Sequence, residues 1–117
     1  MGESILKNKS FLFALHIVSA YKELCNKQEY VMSKQMLRSG TSIGANIAEA
    51  ERGQSVADFT SKMYISLKEA NETDYWIRLL KASSFLNEEE ANSLLNECDE
   101  IIRMLVATTK RTSPRAL

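Results

Sequence analysis

Residues 38–50 read Arg38-Ser-Gly-Thr-Ser-Ile-Gly-Ala-Asn-Ile-Ala-Glu-Ala50, a run of small residues set into a helical pattern. In a helix interior, Gly40 and Gly44 each cost about 1 kcal/mol relative to alanine. The usual compensation is close approach, because a backbone without Cβ lets a neighbouring helix lie against it. The stretch therefore predicts helices in tight contact, with Gly40, Gly44 and Ala48 as the close-packing positions. Met36, Leu37, Gly40, Ile43, Gly44 and Ile47 share one face, while Arg38, Ser42, Glu49 and Arg52 line the opposite one. Glu49 and Glu51 stand in the last turn, where the helix dipole disfavours anions. Either they meet a cation on another helix or subunit, or they are solvated at small cost. Arg38, Glu49 and Arg52 are the candidates for ion pairs between helices.

Outward from that stretch, the chain divides into four amphipathic segments separated by short polar breaks. The first covers about 8–27, with Phe11, Phe13, Ala14, Leu15, Ile17, Val18, Tyr21, Leu24 and Cys25 on a broad apolar face. The second runs over about 32–51 and stops near Gly53, a residue suited to a left-handed terminus. The third, about 56–83, follows Ser55 as N-cap and has Asp58 in its first turn. The fourth, about 88–111, follows Asn87, and Glu88, Glu89 and Glu90 favour the positive end of its dipole. Its core stripe is Ala91, Leu94, Leu95, Cys98, Ile101, Ile102 and Leu105, and residues 112–117 read as a flexible tail. Long helices joined by short loops pack as neighbours, so the expected fold is all-α: one domain over 1–117, an antiparallel up-down-up-down four-helix bundle.

The third segment carries two apolar faces. Phe59, Met63, Leu67, Ala70 and Ile77 form one; Tyr64, Ile65, Tyr75, Trp76 and Leu79 form another on the far side. A helix in a monomeric bundle needs a single buried face. The second, rich in tyrosine and tryptophan, points to a subunit contact, against one very wide core face capped by Trp76. Tyr64, Tyr75, Trp76 and Leu79, with the flanking Glu69 and Glu72, are the candidate oligomer interface. Glu69 and Glu72 are close enough to repel, so a cation such as Arg38, Arg52 or a partner's lysine is expected beside them. Asp74 falls on the apolar side, where a buried carboxylate must pair with a donor or be protonated; a structural hydrogen bond near the core edge is the expected reading.

Composition narrows the classes further. The 117 residues hold 15 Lys+Arg and 15 Asp+Glu, a net charge of zero that argues against a polyanion binder acting by bulk charge. Lys7, Lys9, Lys110, Arg111 and Arg115 would still gather at one end of an antiparallel bundle, and they are the candidate nucleic-acid contacts. Cys25 and Cys98 are isolated in helical registers and read as reduced thiols of a cytoplasmic protein. The stretch Phe11–Ala20 after Lys7 and Lys9 mimics a signal peptide, but the apolar pattern runs on through the supposed cleavage site to Tyr21 and Leu24. Leu6 occupies the position where myristoylation needs Ser or Thr. No run of 18 apolar residues is present, so no membrane span is expected.

A search for chemistry finds no catalytic constellation. A di-iron bundle needs Glu-x-x-His pairs, and the single histidine, His16, follows Phe13 and falls on a polar flank. No clustered zinc ligands, nucleophile elbow, P-loop or dinucleotide fingerprint is present. No catalytic residue, cofactor, metal or small-molecule substrate is expected.

Arg38–Ala50, together with Ala57-Asp-Phe…Lys62 and Leu67-Lys-Glu-Ala-Asn-Glu-Thr-Asp-Tyr-Trp-Ile-Arg-Leu79, resembles the signature of the small bacterial 23S rRNA-intervening-sequence proteins. The resemblance spans nearly the whole chain. It implies four-helix bundles assembled as homopentamers around a central channel, with no established enzymatic activity. A similar protein serves diversity-generating retroelements, binding a reverse transcriptase and nucleic acid through a basic surface. The expected function is thus a non-catalytic, ring-shaped homo-oligomeric scaffold. The alternative is an accessory protein that binds RNA, or a nucleic-acid enzyme, through a basic rim; against it, this chain is neutral where the nucleic-acid-binding members are strongly basic.

Overall fold

Four helices account for most of the chain: α1 (Gly2–Asn26), α2 (Met32–Glu51), α3 (Val56–Ala82) and α4 (Glu88–Thr112). The structure is a computed structural model that describes the backbone of residues 2–113 and the side chains of residues 5–113, with no strand among them. α2, α3 and α4 lie within a residue of the segments expected from periodicity. α1 begins at Gly2, six residues before the start near residue 8 expected from periodicity. Its inward stripe is Leu6, Ser10, Phe13, Ile17, Ala20 and Leu24, all essentially solvent-free and spaced alternately four and three apart. Leu6 starts the stripe in a segment that otherwise looks polar.

That stripe is narrower than the broad face read from the sequence. Phe11 and Leu15 point away from the core and are 66% and 51% exposed. The reason is angular: two positions on a helix differ by about 200°, so Phe11 and Phe13 face nearly opposite ways.

Helix termination also departs from expectation. Gly53 is not left-handed; α2 ends on Arg52 at φ −100°, and the Gly53 N–H donates to the Ala50 carbonyl over 3.0 Å. The left-handed positions are Gln28 (φ 65°) and Ser84 (φ 68°). At each, the next residue's N–H reaches back five positions, Glu29 to Leu24 O and Phe85 to Leu80 O, both 2.9 Å. The left-handed residue itself reaches back three, to Cys25 O and to Lys81 O. This pairing of bonds is the Schellman motif, here built without glycine. At the other terminus, Ser55 accepts from the Asp58 N–H (3.1 Å) and Asn87 from the Glu90 N–H (2.7 Å). α4 extends through Thr112, whose carbonyl accepts from Thr60 Oγ1, so Thr112 and Ser113 are not part of a loose tail. The rest of that expected tail lies outside the described residues.

α2 packs against α1 and α3, and α4 against α3 and, less extensively, α1, while the backbones of α1 and α3, and of α2 and α4, stay apart across the core. The helices thus occupy four corners in chain order, with α1 diagonally opposite α3. Phe13, Ile17, Met36, Ile43, Ile47, Met63, Ile77, Leu80, Ile101 and Leu105 fill the space between them.

Candidate interaction surfaces

The small-residue stretch of α2 is where that helix fits between two neighbours. A Cβ on Gly40 would stand 2.9 Å from Ile17 Cγ2 and 3.0 Å from its Cγ1; one on Gly44 would stand 3.3 Å from Ser10 Oγ. Both glycines therefore face α1. Ala48 is half-buried. Toward α3 the contacts are polar. The Thr73 hydroxyl lies 2.8 Å from Ser39 Oγ and 2.8 Å from the Glu69 carbonyl, and Ser66 Oγ donates to the Ile43 carbonyl at 2.9 Å. Ser39, Ser66 and Thr73 are fully buried, and small hydroxyls bonded to backbone let two helices approach without orphaned polar groups. Sequence reading missed these three, because hydroxyl residues count as polar in any apolar pattern; their spacing of four and seven from core positions was the available signal.

The ion-pair candidates separate. Arg38 reaches α3, where its guanidinium meets Glu72 and, at 3.2 Å, Glu69. Glu72 also accepts from Trp76 Nε1 at 3.0 Å. The Trp76 N–H and the Arg38 guanidinium together hold the Glu72 carboxyl below its ordinary range, and the Glu72 hydrogen bond in turn raises Arg38 despite partial burial. Glu69 and Glu72 thus share the single Arg38 guanidinium within the chain. Glu49 pairs with Lys62 at 3.0 Å. Arg52 is exposed, with no carboxylate beside it among the described residues. Asp74 stands at the core edge, 27% exposed, with its carboxylate accepting from Arg78 one turn along at 2.8 Å, the structural hydrogen bond expected there. Helical spacing placed it at the margin of the core face, where the solvent reaches.

Of the interface candidates, Tyr64 and Tyr75 are exposed (48% and 57%), while Trp76 and Leu79 are half-buried. Tyr75 and Trp76 pack edge-to-face with ring centroids 5.1 Å apart, and Ile65 extends the exposed apolar surface. A second outward apolar face lies on α1, formed by Ile5, Phe11, Leu12 and Leu15, each at least half exposed. It was hidden in the sequence by being merged with the core face of the same helix.

The seam between α1 and α4 is polar as well. His16 Nδ1 stands 2.8 Å from both carboxylate oxygens of Glu97, Lys9 pairs with Glu100 at 2.9 Å, and Lys27 Nζ donates to the Phe85 carbonyl at 2.8 Å. His16 is therefore paired rather than simply solvated. Beside it runs a groove of about 580 Å³ lined by Glu23, Glu89, Glu90 and Glu97 with Ser19, Asn87 and Ser93. Burial, reinforced by the neighbouring Glu23, raises the Glu90 carboxyl. Among the described residues, no group of three or more His, Cys, Asp or Glu is placed to hold a metal ion, and no helix is long and apolar enough to cross a membrane. Cys25 and Cys98 are free thiols. Burial, with the nearby Asp74 and Asp99, pushes Cys98 up to about 12, and its Sγ donates to the Ala70 carbonyl.

The basic candidates fare unequally. Lys7 pairs with Glu51 (3.5 Å) and Lys9 with Glu100, whereas Lys110 and Arg111 are exposed without a carboxylate partner among the described residues. Arg115 lies outside the described residues.

One observation was not sought in the sequence. Glu29, just before α2, is buried, and its carboxylate accepts from the N–H groups of Val31 (3.1 Å), Met32 (3.1 Å) and Ser33 (2.6 Å). Burial opposes its ionisation, but the Ser33, Met32 and Val31 N–H groups outweigh it and hold the carboxyl below its ordinary value.

No curated protein matches the chain. The chain is similar to a solved structure of a protein of unknown function from the S23 ribosomal protein family of Bacteroides thetaiotaomicron, at 52% identity and a TM-score of 0.91, over 94% of this chain and 99% of that one. Residues 3–107 match the family model for the 23S rRNA-intervening sequence protein, a span that takes in the Arg38–Ala50 stretch and the paired α2–α3 surfaces described above. On those grounds, this chain belongs to the 23S rRNA-intervening sequence protein family.

Proposed function

We propose that the protein is a non-catalytic scaffold: an antiparallel up-down-up-down bundle whose copies assemble into a closed homo-oligomeric ring. Support for the antiparallel order comes from the paired residues, whose numbers fall along α3 as they rise along α2: Ser39 with Thr73, Ile43 with Ser66, Glu49 with Lys62. The observation that carries the assembly is the outward apolar surface on helices that already have a filled inward face, Phe11 and Leu15 on α1 and Tyr64 and Tyr75 on α3. Exposed apolar patches of this kind mark association sites on soluble proteins. Five copies is the number that the family resemblance implies. Sedimentation equilibrium at micromolar concentration tests the reading: the expected mass is a multiple of 13.2 kDa, and a single species at 13.2 kDa overturns it.

A nucleic-acid role rests on one observation, the exposed Lys110 and Arg111, which have no carboxylate partner among the described residues. With Lys7 and Lys9 already held by carboxylates, it is the weaker reading. Backbone contacts to RNA release counterions, so binding that is tight at about 50 mM salt and lost by about 200 mM supports it. No binding at the lower salt removes it.

A further inference from the structure

The two outward apolar faces lie on diagonally opposite helices. α1 packs on α2 and α4, α3 packs on the same two, and the backbones of α1 and α3 stay apart across the core. On α1, Phe11 and Leu15 point away from a core stripe centred on Phe13 and Ile17; on α3, Tyr64 and Tyr75 point away from one centred on Met63, Ala70 and Ile77. The faces therefore look out from opposite sides of the molecule. A two-fold dimer that used either face against itself would leave the other open to solvent.

Building on the oligomeric reading, we infer that the α1 face of one copy docks on the α3 face of the next. One such head-to-tail contact satisfies both faces, once on each side of every subunit, and repeating it closes a ring if the rotation permits.

Chemistry and area support this occupant. From Ser10 to Tyr21 the helix carries no Asp, Glu, Lys or Arg, so the centre of the α1 face lacks the charges that a solvated surface normally bears. The α3 face supplies aromatic rings with a polar tip, Tyr64 and Tyr75. On its flank Glu69 and Glu72 are bonded by Arg38 and Trp76, and the exposed Lys68, one turn from Tyr64, can lay its stem along the face and keep its ammonium at the polar rim. Each face leaves on the order of 400 Å² of apolar surface open, judged from ordinary side-chain areas. The two together, with their polar rims, reach the roughly 1,200 Å² at which specific interfaces begin. Neither face alone would do so against a small ligand.

The test is complementation between two variants. Phe11→Asp with Leu15→Asp spoils the α1 face; Tyr64→Asp with Tyr75→Asp spoils the α3 face. All four side chains are about half exposed or more in the single chain, so both variants are expected to retain wild-type helical circular dichroism. Gln replaces Asp in any variant that does not. Each variant alone is expected to sediment at 13.2 kDa. Mixed at equal, tens-of-micromolar concentration, they are expected to form a species of twice that mass and nothing larger, because the mixture holds one intact pair of complementary faces. A variant that retains the wild-type mass, or a mixture that stays monomeric, overturns the α1-to-α3 pairing while leaving an oligomeric wild type intact. A monomeric wild type fails the scaffold reading itself.

Discussion

Gly40 and Gly44 stand one turn apart and face the same helix, yet they impose different limits. At Gly40 the atoms in the way belong to Ile17, whose branched Cβ cannot swing clear. Gly40→Ala is expected to destabilise by about 1–3 kcal/mol. At Gly44 the nearest atom is a serine hydroxyl that can rotate, and alanine's better helix propensity offsets the crowding. Gly44→Ala is expected to fall within about 0.5 kcal/mol of wild type. Chemical denaturation of the two variants checks the contrast. The need for glycine was legible in the sequence; that Ile17 and Ser10 create it was not, because neither is near α2 in the chain. Glu29 gives a pH signature. Its folded carboxyl titrates below the unfolded one, so its contribution is complete above the unfolded value and is lost as the pH falls through the folded value. Glu29→Gln should cost about 1–2 kcal/mol near neutral pH, as loss of a helix cap does. The gap to wild type is expected to close, in denaturation midpoints, as the pH falls below the ordinary carboxylate range. Cys98, by contrast, should resist thiol reagents in the native protein. Labelling with a chromogenic disulfide should count fewer thiols before unfolding than the two counted after it.

Helix termini were only half readable. Ser55 and Asn87 announce α3 and α4 because an N-cap needs a short side-chain acceptor, a chemical requirement visible in sequence. The C-termini need a backbone conformation instead, and here Gln28 and Ser84 adopt it where glycine is the usual signal. Gly53, beside which α2 does end, offers the usual signal without adopting the conformation. A non-glycine residue in the left-handed region carries a penalty of about 1–2 kcal/mol. Gln28→Gly and Ser84→Gly are each expected to raise stability, by about 0.5–1 kcal/mol after glycine's greater unfolded-chain entropy is counted. Thermal melts of the single and double variants would show it, with near-additive shifts since the sites lie in separate turns. The start of α1 was missed for a related reason. Ile5 and Leu6 are a lone apolar pair among polar residues, and only the register with Ser10 and Phe13 places Leu6 inside and leaves Ile5 out.

At the scale of the molecule, four helices and their order were legible because each long segment shows its own apolar period. The outward faces were legible unequally. On α3 the second face stands apart, since Tyr64 and Tyr75 lie far round the helix from Met63. On α1 it merges with the core face, because nearly every residue from Phe11 to Val18 is apolar and periodicity cannot say which half turns inward. Packing against α2 decides it: Ile17 is drawn to Gly40 and Ser10 to Gly44, and that rotation leaves Phe11 and Leu15 outside. The glycines thus act twice, admitting α1 closely and fixing which of its faces is left for a partner. Cross-linking tests that consequence most directly. In a Cys25→Ser background, Leu15→Cys and Tyr75→Cys variants are treated with a short bis-maleimide, singly and after co-expression. The expected result is a covalent dimer from the co-expressed pair and none from either variant alone. Cross-linking of Leu15→Cys chains to one another, or of Tyr75→Cys chains to one another, would contradict it.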